Sequence, residues 1–148
     1  MYCSIAIFET MPFPLIRHCL ICEEVRPEVK GKLSILGFYG VTPDVSIRIQ
    51  DLAKPIERLC FLLVSGPGDG DHKVSIRIEG PAGELVFTGP ESDFSFPSSP
   101  QPLNLVITVA LIPFAVFGRH RFVFVVQGSE MFQTSFEIQK EIPAGNSR

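Results

Sequence analysis

Residues 73–79 read KVSIRIE. Val74, Ile76 and Ile78 fall on one side of an extended chain, and Ser75, Arg77 and Glu79 on the other. Alternation with period two is the pattern of a half-buried strand with one wet face, because successive side chains of a strand point to opposite faces. Met131–Gln139, MFQTSFEIQ, repeats it, with Phe132, Phe136 and Ile138 facing in and Gln133, Ser135 and Glu137 facing out.

Working outward, three further segments are continuously apolar: LCFLLVS (Leu59–Ser65), LNLVITVAL (Leu103–Leu111) and RFVFVVQ (Arg121–Gln127). They are rich in β-branched and aromatic residues and too short for assured helices, so they read as central strands covered on both faces. KLSILGF, VSIRIQ and ELVFTG bring the count to about eight strands, and CLICEEV makes nine. Turn chemistry separates them: PEVKGK, with Gly31 free to take positive φ, SGPGDGDH read as a hairpin loop, GPAGE, and VQGSEM around Gly128 or Ser129. QDLAKPIERL carries Pro55 in its middle and reads as a loop with at most one helical turn. Thr88–Pro102, dense in Pro and Ser, reads as a long irregular loop that Phe94 and Phe96 pin to the body. VSIRI occurs twice, at Val45–Ile49 and Val74–Ile78, which is convergence on one strand pattern rather than a repeat architecture.

Strands at short spacing with no helical pattern between them predict one all-β domain. The expectation is a single antiparallel β-sandwich of seven to nine strands, immunoglobulin-like in organisation, over residues 17–140. Residues 1–16 form an N-terminal segment and 141–148 a C-terminal tail. The 148 residues are enough for one real core, and a composition 45% hydrophobic with 13 Phe excludes a disordered chain. That apolar content is high for a small monomer and points to burial against another chain.

The net charge of −3, from 13 basic and 16 acidic residues with no basic run, gives no electrostatic footprint for nucleic acid. The greasiest run, Leu105–Phe117, is interrupted by Pro113 and falls short of the roughly 20 residues a membrane helix needs. The start of the chain lacks a cationic n-region and carries Glu9, so a soluble cytoplasmic protein is expected. Four dispersed cysteines, Cys3, Cys19, Cys22 and Cys60, do not read as a secreted disulfide framework.

Three stretches invite a chemical reading. Cys19 and Cys22 form a Cys-x-x-Cys pair behind His18. On a strand, residues three apart point to opposite faces, so these sulfurs share neither a metal nor a disulfide. Glu23 and Glu24 follow, no helix N-terminus lowers a thiol pKa, and Cys3 and Cys60 lack zinc-site spacing; the cysteines read as structural. Ser65–His72 has three alternating glycines, but neither the spacing nor a following helix suits a phosphate-binding loop. Asp69, Asp71 and His72 lie there, yet the carboxylates are few and the closing Glu of a calcium loop is missing, so no metal is expected. In FGRHRF, Arg119, His120 and Arg121 open an apolar strand as a solvated, charged gatekeeper against aggregation. No nucleophile-elbow, zincin or P-loop motif is present, and no cofactor is expected.

The segment CLICEEVRPEVKGKLSILGFYG resembles the first hairpin of a group of bacterial β-sandwich domains of unknown function and about this length. In that group a short strand is followed by a strand of the type gKlnilGvy, matched here by Gly31, Lys32, Leu33, Ser34, Ile35, Leu36, Gly37, Phe38 and Tyr39. ERLCFLLVS, the EGPAGELVF turn and the closing FAVFGRHRFVFVVQGSE hairpin are similar too, although His120 and Phe122 flank the position of that hairpin's usual aromatic. The resemblance covers residues 17–140, implies a compact sandwich, and carries over no catalytic residue.

With no catalytic constellation in view, the expected function is a non-catalytic protein-interaction or structural module, self-association included. The alternative is a small-ligand or carbohydrate-binding module using the loops at one end of the sandwich, near Asp69, Asp71 and the 88–102 loop. An enzyme is not expected.

Overall fold

The computed structural model describes residues 15–66, 70–96 and 103–142. They form ten strands: β1 (Ile16–Pro27), β2 (Leu33–Val41), β3 (Ser46–Ile49), β4 (Ile56–Ser65), β5 (Gly70–Glu79), β6 (Leu85–Thr88), β7 (Ser92–Phe96), β8 (Leu103–Ile112), β9 (Gly118–Val126) and β10 (Ser129–Lys140). Two sheets result, one ordered β2-β1-β4-β8 and the other β3-β10-β9-β5-β6, with β7 also pairing β5. Among the described residues there is no α-helix, only a short 3-10 turn at Val29–Gly31.

The turns form where the sequence supplies left-handed backbone. Lys30 (φ +62) and Gly31 (φ +71) close β1 onto β2, while Gln127 (φ +50) and Gly128 (φ +77) close β9 onto β10. In the two-residue β9–β10 turn, positive φ at both central residues matches the right-handed twist of the flanking strands.

The inward side chains of both sheets build one core. Phe61 of β4 stacks on Phe122 of β9 with ring centroids 4.3 Å apart, and Phe136 and Phe114 extend the aromatic column edge-on. β5 behaves as its alternation predicts: Ile76 and Ile78 are buried in the core.

Four sequence expectations change. The strand count among the described residues is ten, because Phe94 and Phe96 do more than pin a loop: Ser92–Phe96 alternates and pairs with Gly70–Val74, burying Phe96. SGPGDGDH is no hairpin, since β4 and β5 lie in different sheets. Not every pairing is antiparallel: β3 runs parallel to β10, its direction set by a crossover from β2 rather than by a hairpin. Finally, LNLVITVAL is not a central strand. As β8 it is the outermost strand of its sheet, with Val106 42% exposed.

Candidate functional site

β8 pairs β4 in unbroken register from Ser65↔Leu103 to Ile56↔Ile112. Its other edge faces away from the sheet, and among the described residues no other strand's backbone bonds to Asn104–Ala110. Such an edge presents a row of backbone N–H and C=O groups ready for another strand.

Beside that edge lies a slot of about 340 Å³. Val106, Ile107, Thr108 and Val109 line one wall, four consecutive residues that place the slot astride the strand edge. The facing wall is Val74–Ile76 of β5, at the gap where the chain leaves β6 for β7, and Gly89 donates its N–H to Ile76 O there at 2.9 Å. Phe87 and Phe124 close the floor, and the polar side chains are Ser75, Ser92 and Thr108 only. The lining holds no titratable group, so it offers no general acid, base or metal ligand. Its chemistry is apolar contact plus backbone hydrogen bonding. A continuous, charge-free run at 103–112 is the sequence signal that points to this place, although the same signal reads equally as a central strand.

The outer faces of the sheets differ. On the four-stranded sheet, register aligns Val41, Leu20, Leu62 and Val106 in one row and Phe38, Cys22, Cys60 and Thr108 in the next. Charge enters only at the following row, where Glu24 pairs with Arg26 at 3.0 Å and meets Arg58 at 3.9 Å. On the six-stranded sheet, Arg77 pairs with Glu79 and Glu130, and Arg121 bonds Glu79 and Gln133. Those two arginines hold the Glu79 carboxyl below the usual range, Arg121 chiefly through its hydrogen bond.

The cysteines separate as strand alternation requires. Cys19 sits in the core, where burial pushes its thiol up to about 12 against a hydrogen bond with Thr42. Cys22 points to the other face, opposite Cys60 in the adjacent strand. Burial first, then the neighbouring Cys60 thiol, pushes Cys22 up to about 11. Cys60 donates to Glu23 O at 3.3 Å, which leaves the Thr108 hydroxyl, 3.3 Å away, to donate to the sulfur. Cys3 lies outside the described residues.

FGRHRF is only partly a solvated gatekeeper. Arg119 and Arg121 are exposed, but His120 between them turns inward and is fully buried beside Phe114 and Phe136. Strand alternation, which the charged composition of the tripeptide masks, dictates this. His120 Nδ1 lies 3.0 Å from Gly118 O, so that nitrogen carries the proton, and Nε2 has no partner among the described residues. Burial lowers the imidazole pKa. Asp71 is exposed while its neighbour His72 is buried against Phe96, so the two point to opposite faces; Asp69 lies outside the described residues. Among the described residues no three metal-ligating side chains come together, and no helix is long and apolar enough to cross a membrane.

Comparison with known proteins adds the family and little more. Among solved structures, the chain is similar to the Pseudomonas fluorescens alkylpurine DNA glycosylase AlkC bound to DNA containing an abasic site analog. The identity is 15% and the TM-score 0.41, over 66% of this chain and 28% of that one. This chain thus spans little more than a quarter of that protein, and at such distance the likeness carries no functional meaning. No curated protein matches. The chain belongs to a family of unknown function, DUF6941, which matches residues 17–139.

Proposed function

We propose that the protein is a non-catalytic protein-interaction module that takes an extended strand of a partner polypeptide along the free edge of β8. The observation that carries this reading is the coincidence of an uncharged strand edge, unpaired among the described residues, with an apolar slot running beside it. An added strand gains main-chain hydrogen bonds from the edge and seats alternate side chains in the slot, which is how strand addition combines affinity with specificity. The immunoglobulin-like organisation expected from the sequence belongs to this reading as a rigid scaffold that presents edges and loops. A cytoplasmic location belongs to it as well, supported by the few, dispersed cysteines.

A second reading rests on the same slot. Its volume falls in the range of small-molecule pockets, and Gly89, Pro90 and Ser92 of the 88–102 loop contribute to it. Its lining would suit an apolar molecule better than a carbohydrate, which needs convergent polar groups.

One experiment separates the two. A photo-crosslinking phenylalanine analogue replaces Thr108, with the same group at Gln133 on the charged face as control, and the protein is irradiated in its native cell. A polypeptide adduct at 108 and not at 133 is the expected result. A low-mass adduct at 108 would transfer the assignment to the small-ligand reading, and equal labelling at both positions would remove both.

A further inference from the structure

The edges of the two sheets are not alike. β2 carries Gly37 and Gly40 at positive φ and a register break opposite Ile21 and Cys22. β3 and β6 have four residues each, and β3 includes Arg48. β7 has five and includes Asp93. Short length, bulges, glycine and charge are the devices by which sheet edges avoid pairing with other chains. β8 has none of them from Leu103 to Ala110: no charge, no Pro, no Gly and no register break against β4. It deviates only at Leu111, whose φ is +54.

We infer that β8 is kept open for β8 of a second copy, the two strands pairing antiparallel across a two-fold axis to join both four-stranded sheets into one. The inference rests on the strand-addition reading above and names its partner. A two-fold pair sets a strand against itself, so any charge in it would stand near its own copy, and like charges facing each other across strands are destabilising. β8 carries no charge over its whole length. An axis at Ile107 sets Val106 against Thr108 of the second copy on the outer face, and Leu105 against Val109 on the inner one. The outer pair is β-branched on both sides and the inner one wholly apolar, and such cross-strand side-chain pairs stabilise a ladder. The inward side chains of the added strand then cover the slot lined by Ile76, Phe87 and Phe124. Self-pairing also accounts for the composition of β8, since a strand that reads as central in the sequence is central in the joined sheet.

The test is the mass in solution of the full chain and two double variants, followed by sedimentation across a wide concentration range. The wild type is expected at twice its monomer mass of 16.4 kDa. Val106→Glu/Thr108→Glu sets two like-charged pairs across the axis and should weaken the dimer roughly tenfold or more. Val106→Lys/Thr108→Glu sets the same positions as opposite charges and should restore it, which also shows that charged residues there still permit folding. A wild type that stays monomeric at the highest concentrations overturns the inference, and so does a dimer equally stable in both variants. In the first case a polypeptide adduct from another protein at Thr108 would leave the strand-addition reading standing, whereas loss of that adduct removes both.

Discussion

The two outer faces of this sandwich are built from opposite chemistry on the same scaffold. On the six-stranded sheet, Arg77, Glu79, Arg121, Glu130 and Gln133 form a lattice of ion pairs and hydrogen bonds. Val123 points outward between its cross-strand partners Arg77 and Gln133 and is nonetheless fully buried. On the four-stranded sheet, Leu20, Cys22, Cys60 and Leu62 occupy the matching central positions with no such roof of charge. Leu62 is 4% exposed although it lies outside the core cluster. One face is finished as a surface for solvent, and the other ends in the unblunted edge of β8.

The largest effect expected is on the apolar face. Leu62→Ala removes a side chain shielded by its row neighbours Leu20 and Val106, and should lower unfolding stability by about 2 kcal/mol, near the low end for a buried leucine. A urea midpoint series measures it. A loss under about 0.5 kcal/mol, the level of ordinary surface positions, would mean that this face is as wet as the other. On the charged face, Glu79→Gln should cost less, under about 1 kcal/mol, because its arginine partners stay partly in water, where ion pairs are screened and pay side-chain entropy. The folded Glu79 carboxyl titrates below its unfolded value, so its contribution is present above about pH 4.5 and is lost as pH falls through its folded pKa. Raising the salt concentration should narrow the gap between wild type and Glu79→Gln while leaving that of Leu62→Ala intact.

His120 should do nothing at neutral pH. Its imidazole is neutral in the folded core, and its folded pKa lies below the unfolded value near 6.5. The unfolded chain therefore binds the extra proton first, and stability falls as pH drops below about 6.5. The slope of stability against pH between about 6.5 and 5 should flatten in His120→Leu, where carboxylates with lowered values do not yet titrate. An unchanged slope would show that acid reaches the core by another group.

Alternation was legible wherever polar and apolar residues take turns. Lys73–Glu79 and Met131–Gln139 land on the faces their pattern assigns, and so do Cys19 and Cys22. What the sequence conceals is what lies beside a strand. A continuous apolar run reports that both faces are dry, and it says nothing about whether a fellow strand or another chain provides the dryness; β8 and β4 therefore read alike and occupy different places. The crossing from β4 to β5 is hidden for a related reason, since glycine and proline mark a change of direction and not the sheet to which the chain goes next. His120 is hidden by its arginine neighbours, whose charge outweighs a one-residue alternation in any windowed reading.

The smallest effect expected is an absence of reaction, and it probes the apolar face directly. Cys22 lies in the row with Phe38, Cys60 and Thr108, fully buried, with its thiol pushed up to about 11 by burial, the adjacent Cys60 thiol and the carboxylate of Glu23. Only the thiolate is an effective nucleophile, so at pH 7 to 8 both access and ionisation work against alkylation. Cys19, pushed up to about 12 within the core, is the internal control for a thiol closed on every side. Iodoacetamide on the folded protein, mapped by peptide mass spectrometry, should leave Cys19 and Cys22 equally unmodified, and urea should release both together. Labelling of Cys22 alone in the folded state would show that the rows between β2 and β8 open to water while the core stays shut, and the two outer faces would then differ in composition but not in access.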